Sequence, residues 1–440
     1  MKPETEALLN RDQLRHVMLV FVDPVGQLRG KLYRKEKVLA ALASDRGGFK
    51  MTSPALSLDY GDAIYELPGL SDETANFGDF DAYVDPDSFW RLPWADPSQN
   101  VIGFLELGPE HSAYCARSLC RKVLDKGAAA GLTPVFGMEW EFTLLCETAE
   151  SLSAKNYANL QTSTAISSYN LVQLQASQQA LYEDLVGHAD AMGLAVDTWQ
   201  EEMGPGFMET ALSPSNSILG VDQAVLLKFL IKQRAAAHGM IATFMARWND
   251  AADGQGGHIH MSLETDGKNA FTPEGPGLTL YHQFIGGLQA YVPEFLPMFA
   301  PNVNSYRRMQ PGIFAPVDTR WDWENRQSAF RAIGPSGMRV ENRVPGADCN
   351  PYHAVAAMAA AGLRGIDEGL SPTEAGALPE GPGLARDLGT AAERFRTSKA
   401  AQEVFGEVFT DYLAAFKQQQ IAAITSQVTD IEKRFLLDLA

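Results

Sequence analysis

The chain is predicted to be an α+β protein, with a small α+β domain over residues 1–105 and a larger domain over 106–440 built on a mainly antiparallel sheet. Three observations predict this. Short stretches alternate apolar and charged residues with the period of two that a half-buried strand requires, most clearly GMEWEFTLL at residues 137–145. Longer stretches between them carry apolar residues at helical spacing. The chain's 440 residues, 45% of them hydrophobic, suffice for two or three domains and a large core.

The elements follow in chain order. HVMLVFVDPVGQLRGKLY, residues 16–33, reads as a strand, a turn over 23–26 and a second strand. Residues from about 50 to 100 are rich in Gly, Pro and Asp and read as loop, running into a last strand in NVIGFLEL. Helical spacing then marks 113–130, 173–192, 221–238, 277–290 and 399–420. NPYHAVAAMAAAGLRGIDEG opens a further helix: Asn350 can cap it, Pro351 suits its first position, and Gly369 lies near its end. No internal repeat or low-complexity tract interrupts the pattern.

Composition excludes several functions. A formal net charge of −18 disfavours a nucleic-acid or anionic-membrane surface. No apolar run reaches the ~18 residues of a membrane span. The first residues, MKPETEALLNRDQLRHV, lack the apolar core of a signal peptide. Cys115, Cys120, Cys146 and Cys349 show neither CxxC spacing nor a disulfide framework, so reduced thiols in a cytoplasm are expected.

In GMEWEF, Glu139 and Glu141 share a strand face about 7 Å apart. Two readings compete: a solvated edge strand, or a cation between the carboxylates. The flanks, PVFGMEWEFTLL, are too apolar for an exposed ribbon. Partners for a cation exist elsewhere. Glu202 and Glu209 flank the turn Gly204-Pro205-Gly206, which can fold both toward one point. His258 and His260 lie two apart after a glycine-rich loop, and Arg339, Glu341 and Arg343 repeat the period of two. Alone, an HxH is often structural and an RxExR strand is usually an ion-pair ladder. Together they offer five glutamates and one or two histidines, a carboxylate-rich set that suits Mg²⁺ or Mn²⁺. Arg308, Arg326 and Arg331 add guanidinium groups that hold phosphate and carboxylate. Acids for metal and arginines for phosphoryl oxygens are what phosphoryl transfer needs. No Walker loop or kinase pattern is present, so a different nucleotide site is implied.

These motifs resemble the glutamine synthetase family, class I-like, and are closest in character to its γ-glutamyl–amine ligase branch. The resemblance runs through FVDPVGQLRGK, GMEWEF, EMGPGFME, GGHIHMSL, NSYRRMQPG, NRQSAFR and ENRVPGADCNPYHAVAAMAAAGLRGI to VTDIEKRFLLDL. It implies a small N-terminal β-grasp-like domain and a catalytic domain with a curved sheet flanked by helices. It also implies a homo-oligomer, commonly a dodecamer, with sites between subunits. ATP would phosphorylate the γ-carboxylate of glutamate, and an amine would then displace phosphate. The resemblance assigns two or three Mg²⁺ or Mn²⁺ ions per site. Glu141, Glu202 and Glu209 would hold one and Glu139, His258 and Glu341 the other, with Glu201 the alternative to Glu202. His260, Ser262 and Arg339 resemble nucleotide and phosphate contacts, and Arg331 a nucleotide-phosphate arginine. Gly254, Gly256, Arg308, Arg326 and Arg343 resemble the glutamate and γ-phosphate contacts.

Three departures concern the amine. Where the family carries a flap glutamate before Ala-Pro, this chain has PGIFAP and places Phe314. The best match to the loop that reaches in from a neighbouring subunit is FKMTS, residues 49–53, with Lys50 in the acid's place. Phe207 replaces the usual glutamine of the GPG turn. Lost acids and gained phenylalanines suit an alkyl-, hydroxyalkyl- or arylamine better than ammonium; the competing reading makes the phenylalanines plain core. The alternatives are a glutamine synthetase using ammonia, or a non-catalytic relative acting as scaffold or nitrogen sensor.

Overall fold

The structure, a computed structural model, describes residues 2–44, 48–75, 77–167 and 169–437. Among these residues the strands form two sheets. The first has five strands: β1 (His16–Val22), β2 (Leu28–Arg34), β3 (Phe49–Thr52), β4 (Asp79–Arg91) and β5 (Val101–Leu107), in the order β2-β1-β5-β4-β3. Only the β1–β5 pairing is parallel. The β1–β2 turn forms around Asp23. Its carboxylate accepts the backbone N–H groups of Val25 (3.0 Å) and Gln27 (2.8 Å) and the Arg29 guanidinium (2.6 Å). Gly26 turns the chain at φ +83°, which an L side chain rarely adopts.

β4 corrects the reading of 50–100 as loop. Its Asp-Pro-Asp composition is turn-like, but a register shift between Val84 and Phe89 takes up that segment. Phe80, Ala82 and Phe89 on either side are buried, and pairing with β3 and β5 overrides local propensity.

The second sheet has nine strands: β6 (Thr133–Leu145), β7 (Val196–Glu201), β8 (Phe207–Leu212), β9 (Ile241–Thr243), β10 (Ile259–Thr265), β11 (Lys268–Asn269), β12 (Trp321–Trp323), β13 (Phe330–Ile333) and β14 (Arg339–Asn342). Its main order is β12-β13-β14-β10-β6-β8-β7, with β11 on β10 and β9 on β6. All pairings but β12–β13 are antiparallel. The α+β class is therefore as the sequence predicts.

Alternation along β6 sorts its side chains. Met138, Trp140 and Phe142 are buried, and the Trp140 indole donates to the Ala224 carbonyl at 3.1 Å in the helix Ile218–Ala237. That helix covers one face of the sheet, so Glu139 and Glu141 project from the other. The helix Pro351–Asp367 is capped by Asn350, whose carboxamide oxygen accepts the Tyr352 N–H at 3.1 Å. It packs on the helix Gly275–Tyr291 so closely that a Cβ at Gly287 would lie 2.2 Å from the Ala361 carbonyl.

The predicted helix over 399–420 is broken at Gly406 (φ +90°) into Lys399–Phe405 and Glu407–Thr425. The 173–192 stretch is likewise divided at Gln178. Arg117, in the helix Ala116–Ala129, ties the two sheets' surroundings together. It is almost fully buried, holds both oxygens of Asp222 at 2.8 Å, and reaches Asp85 of β4 (2.7 Å) and Glu106 of β5 (2.5 Å). All four cysteines are free thiols, and no helix among the described residues is long and apolar enough to cross a membrane.

Candidate active site

The strand order brings the predicted acids onto one face. β6 lies between β8 and β10, and β14 pairs with the far edge of β10. Register then places Glu141 opposite Glu209 and His260 opposite Glu341, with Arg331 of β13 opposite Glu341 on the other side. Residues paired across antiparallel strands share a face, so these side chains converge without any loop having to carry them.

His258 sits at the centre. Its Nδ1 is 3.3 Å from Glu139 and 3.5 Å from Glu341, and its Nε2 is 3.8 Å from Glu141. His260 also turns to Glu139, with Nε2 2.9 Å from Oε1. The Arg339 Nε donates to His260 Nδ1 at 3.2 Å, which puts the proton of the neutral ring on Nε2. His260 therefore donates to Glu139 and orients it. Glu139 is largely buried, which works to raise its pKa. Its hydrogen bonds to His258 and His260 outweigh burial and hold it well below the usual carboxylate range.

Glu209 goes the other way. Burial, and then the charges of Glu139, Glu141, Glu202 and Glu341, push it up to about 9. The site therefore gathers more carboxylates than its own cations can neutralise if all were ionised. Glu202 is raised as well, by burial and by Glu141. Burial would also raise Glu341, but the Arg343 charge, and then the neighbouring His258 and His260, hold it low. Arg343 donates to Glu341 Oε1 at 2.5 Å, and Arg331 to Oε2 at 3.1 Å.

Glu201 and Glu202 point in different directions. Gln200 Nε2 donates to Glu202 at 3.1 Å and to Glu209 at 3.0 Å, so these two acids share one amide. Glu201 points elsewhere: it is buried and accepts from Gln178 at 3.2 Å. Gln200 is the residue that sequence reasoning passed over. Its signal was available, because it lies two positions before Glu202 in the same run.

The glycine-rich loop 254–257 is shaped by contact. A Cβ at Gly254 would lie 2.3 Å from Arg308 Cγ, and one at Gly256 would lie 2.2 Å from His258 Nε2. The Gly256 N–H donates to Glu141 at 2.5 Å. Arg308 is buried beneath the loop, donating to the Val344 and Arg343 carbonyls at 3.0 Å and lying 3.4 Å from His258 Nε2. Burial lowers its pKa to about 10, so it stays charged at neutral pH.

Other predicted residues lie outside this cluster of bonds. Ser262 is on β10, half-buried. Arg326 is exposed on the turn before β13, with no hydrogen bond or ion pair among the described residues. Phe314 is 55% exposed, its ring centroid 5.8 Å from the Arg343 guanidinium carbon, so it is not core. Phe207 is buried and stands outside the contiguous apolar core. Lys50 is exposed on the edge strand β3, 2.7 Å from Asp81.

The residues present fit divalent ions. Glu139, His260 and Glu341 bring possible ligand atoms within 4.8 Å of one another, but both His260 nitrogens are engaged, by Arg339 and Glu139, whereas His258 Nδ1 stands 3.3 and 3.5 Å from the same two acids. Glu141, Glu202 and Glu209 crowd beside them. A donor set dominated by carboxylates suits Mg²⁺ or Mn²⁺ more than softer metals.

Comparison with known proteins bears on this geometry. The family described as glutamine synthetase, catalytic domain, matches residues 113–436. The chain is 32% identical to a γ-glutamylethanolamide synthetase, GlnA4, of Streptomyces coelicolor, over 98% of this chain and 94% of that one. It is 30% identical to a glutamate–isopropylamine ligase of a Pseudomonas species, over 98% and 96%. A solved GmaS–ADP complex superposes with a TM-score of 0.84 over 100% of both chains, at 24% identity, which speaks for the fold.

Proposed function

The chain belongs to the glutamine synthetase family, and from that premise we propose that it is an ATP-dependent ligase joining the γ-carboxyl of glutamate to an organic amine. One observation carries the choice of amine. The position facing Arg343 at the site's rim is occupied by the exposed apolar ring of Phe314, where ammonium would need a carboxylate. Two relatives, one named for a γ-glutamylethanolamide product and one for isopropylamine as the amine it ligates, support the same reading.

The reaction divides into two steps. The γ-carboxylate oxygen attacks the terminal phosphorus of ATP, giving γ-glutamyl phosphate and ADP. The amine nitrogen then attacks the acyl carbon, phosphate leaves, and the nitrogen sheds its proton. Divalent ions, when bound, neutralise phosphoryl oxygens and orient the nucleotide. Glu141, Glu202 and Glu209 are the residues we assign to one ion, and Glu139, His258 and Glu341 to another. His260 and Gln200 hold those carboxylates in place. Arg308 and Arg343, with Gly254 and Gly256 leaving room, face glutamate and its phosphoryl group. Arg326, Arg331, Arg339 and Ser262 are assigned to the nucleotide and transferred phosphate. Phe314 shields the acyl phosphate from water and offers the amine an apolar surface, stabilising at about 25 cal/mol per Å² buried.

We further propose that a β-grasp-like N-terminal domain, ending near residue 105, completes the neighbouring subunit's site in a homo-oligomer, a dodecamer by family pattern. Isolated subunits should then be inactive. Full activity from a monomer, by light scattering with parallel assay, would contradict this.

The decisive experiment is an amine panel with phosphate release as readout: ammonia, ethylamine, ethanolamine, isopropylamine and aniline, with ATP, glutamate and Mg²⁺ saturating. One or more organic amines should exceed ammonia in kcat/KM by about ten- to a hundredfold, the range that a buried methylene or two supplies. Ammonia preferred by a wide margin would make the protein a glutamine synthetase with an unusual flap. No glutamate-dependent ATP turnover with any amine would favour the scaffold or sensor.

A further inference from the structure

Behind the catalytic face lies a second cavity, of about 620 Å³. Its walls come from the β1–β2 turn, the helix Ile218–Ala237, the segment after β9 and the helix Glu407–Thr425. The acid cluster takes no part in it. Trp140, on the opposite face of β6 from Glu139 and Glu141, separates the two.

Two lysines from one helix edge face this space. The Lys228 ammonium lies 3.9 Å from the Trp140 ring centroid and 5.2 Å from that of Phe244, and donates to the Cys349 carbonyl at 3.3 Å. The Lys232 ammonium is 5.6 Å from the Phe244 ring and donates to the Ala242 carbonyl at 3.4 Å. Neither makes an ion pair among the described residues. Each ammonium has three donors, and each has one long bond to a carbonyl. Lys232 is exposed, whereas Lys228 is half-buried against two aromatic rings with no carboxylate in contact; holding its charge there is costly, and an anion relieves that cost. Burial has lowered Lys228 to about 8, in keeping with that deficit.

The wall that includes Asp348 and Gln420 presents the complementary deficit. Gln420 is 5% exposed and its carboxamide oxygen has no hydrogen-bond partner. Asp348 uses Oδ2 to accept from Asn302 (2.8 Å) and Ser305 (2.6 Å), while its Oδ1 is unpartnered. Both residues line the cavity. Val25, Leu28, Val225, Phe229 and Ile424 give the remaining surface an apolar character.

We propose that this cavity is a second binding site, for a small organic acid with an apolar body and a hydroxyl or amino donor at its other end. The acid group bridges Lys228 and Lys232. The donor reaches Asp348 Oδ1 and Gln420 Oε1. Because Lys228 rests on Trp140, occupation abuts the strand that carries Glu139 and Glu141.

The test uses the full-length protein in its native assembly, with glutamate, ADP and Mg²⁺ saturating so that the catalytic cavity is filled. The probe is 6-hydroxy-2-naphthoate, followed by its fluorescence and by calorimetry, against the neutral 6-hydroxymethyl-2-naphthol. The naphthoate is expected to bind once per subunit and at least about tenfold tighter than the neutral compound. Lys232→Met should remove that preference. Ile424 is 47% exposed on its helix, so Ile424→Trp should block the cavity without disturbing the core. Equal binding of the two compounds, no naphthoate binding at millimolar concentration, or affinity unchanged in both variants would each overturn the proposal.

Discussion

Glu141 on β6 and Glu209 on β8 stand directly opposite one another in the sheet register, two acids in a cross-strand pair where like charges are destabilising. Burial first, and then the charges of Glu139, Glu141, Glu202 and Glu341, push Glu209 up, while Glu139, two residues from Glu141 on β6 and bonded to two histidines, is held down.

A pH dependence follows for the metal-free protein. The folded-state pKa of Glu209 is raised above the unfolded carboxylate value of 4.5 to about 9. The folded state therefore holds this proton more tightly, and its contribution to stability is complete below about pH 4.5 and is lost as pH rises toward 9. Thermal midpoints in chelator should fall across pH 5.5–8.5. Adding Mn²⁺ should raise the midpoint most at the alkaline end, and Glu209→Gln should flatten the chelator profile. A profile in chelator that is flat for the wild type would count against the crowding of these carboxylates.

Phe314→Glu should shift preference toward ammonia, because it restores a base and an anion beside the acyl phosphate. The ratio of kcat/KM for ethylamine over ammonia should drop by about tenfold or more. Absolute activity need not rise if Lys50 takes the place of the family's second acid. An unchanged ratio would remove Phe314 from the amine pocket.

Gly256→Ala places a Cβ 2.2 Å from His258 Nε2, and the imidazole must move. Overpacking of this kind costs about 1–3 kcal/mol. The expected result is a loss of at least about tenfold in kcat/KM with weaker Mn²⁺ binding by calorimetry, in a protein that still folds and assembles. Wild-type metal affinity in the variant would contradict the placement of His258 among the ligands.

Arg117→Met should be severe for stability. It leaves buried Asp222 without its bidentate partner and unlinks Asp85 and Glu106 from the helix. Removing one partner of a buried pair costs about 3–5 kcal/mol. Denaturant unfolding should show that loss; a change under about 1 kcal/mol would mean the network is solvated.

The local periodicities were legible in the chain itself. Period-two alternation placed Glu139 and Glu141 together on β6, and Glu341 between Arg339 and Arg343, because a strand's side-chain repeat is an intrinsic property of the backbone. Asn350 and Pro351 announced their helix because capping is a local matter between a side chain and the first free N–H groups. The motif order was enough to identify the family. Tertiary structure decided what depends on neighbours. β4 exists because β3 and β5 satisfy its backbone, although its aspartates and proline read as loop. Glu202 rather than Glu201 faces Glu209, because only the folded turn determines which adjacent side chain meets Gln200. The lysine-lined cavity is assembled from segments some 400 residues apart, from Val25 to Ile424. No local pattern encodes it, since each contributing stretch is an ordinary helix, turn or strand until packing brings them together.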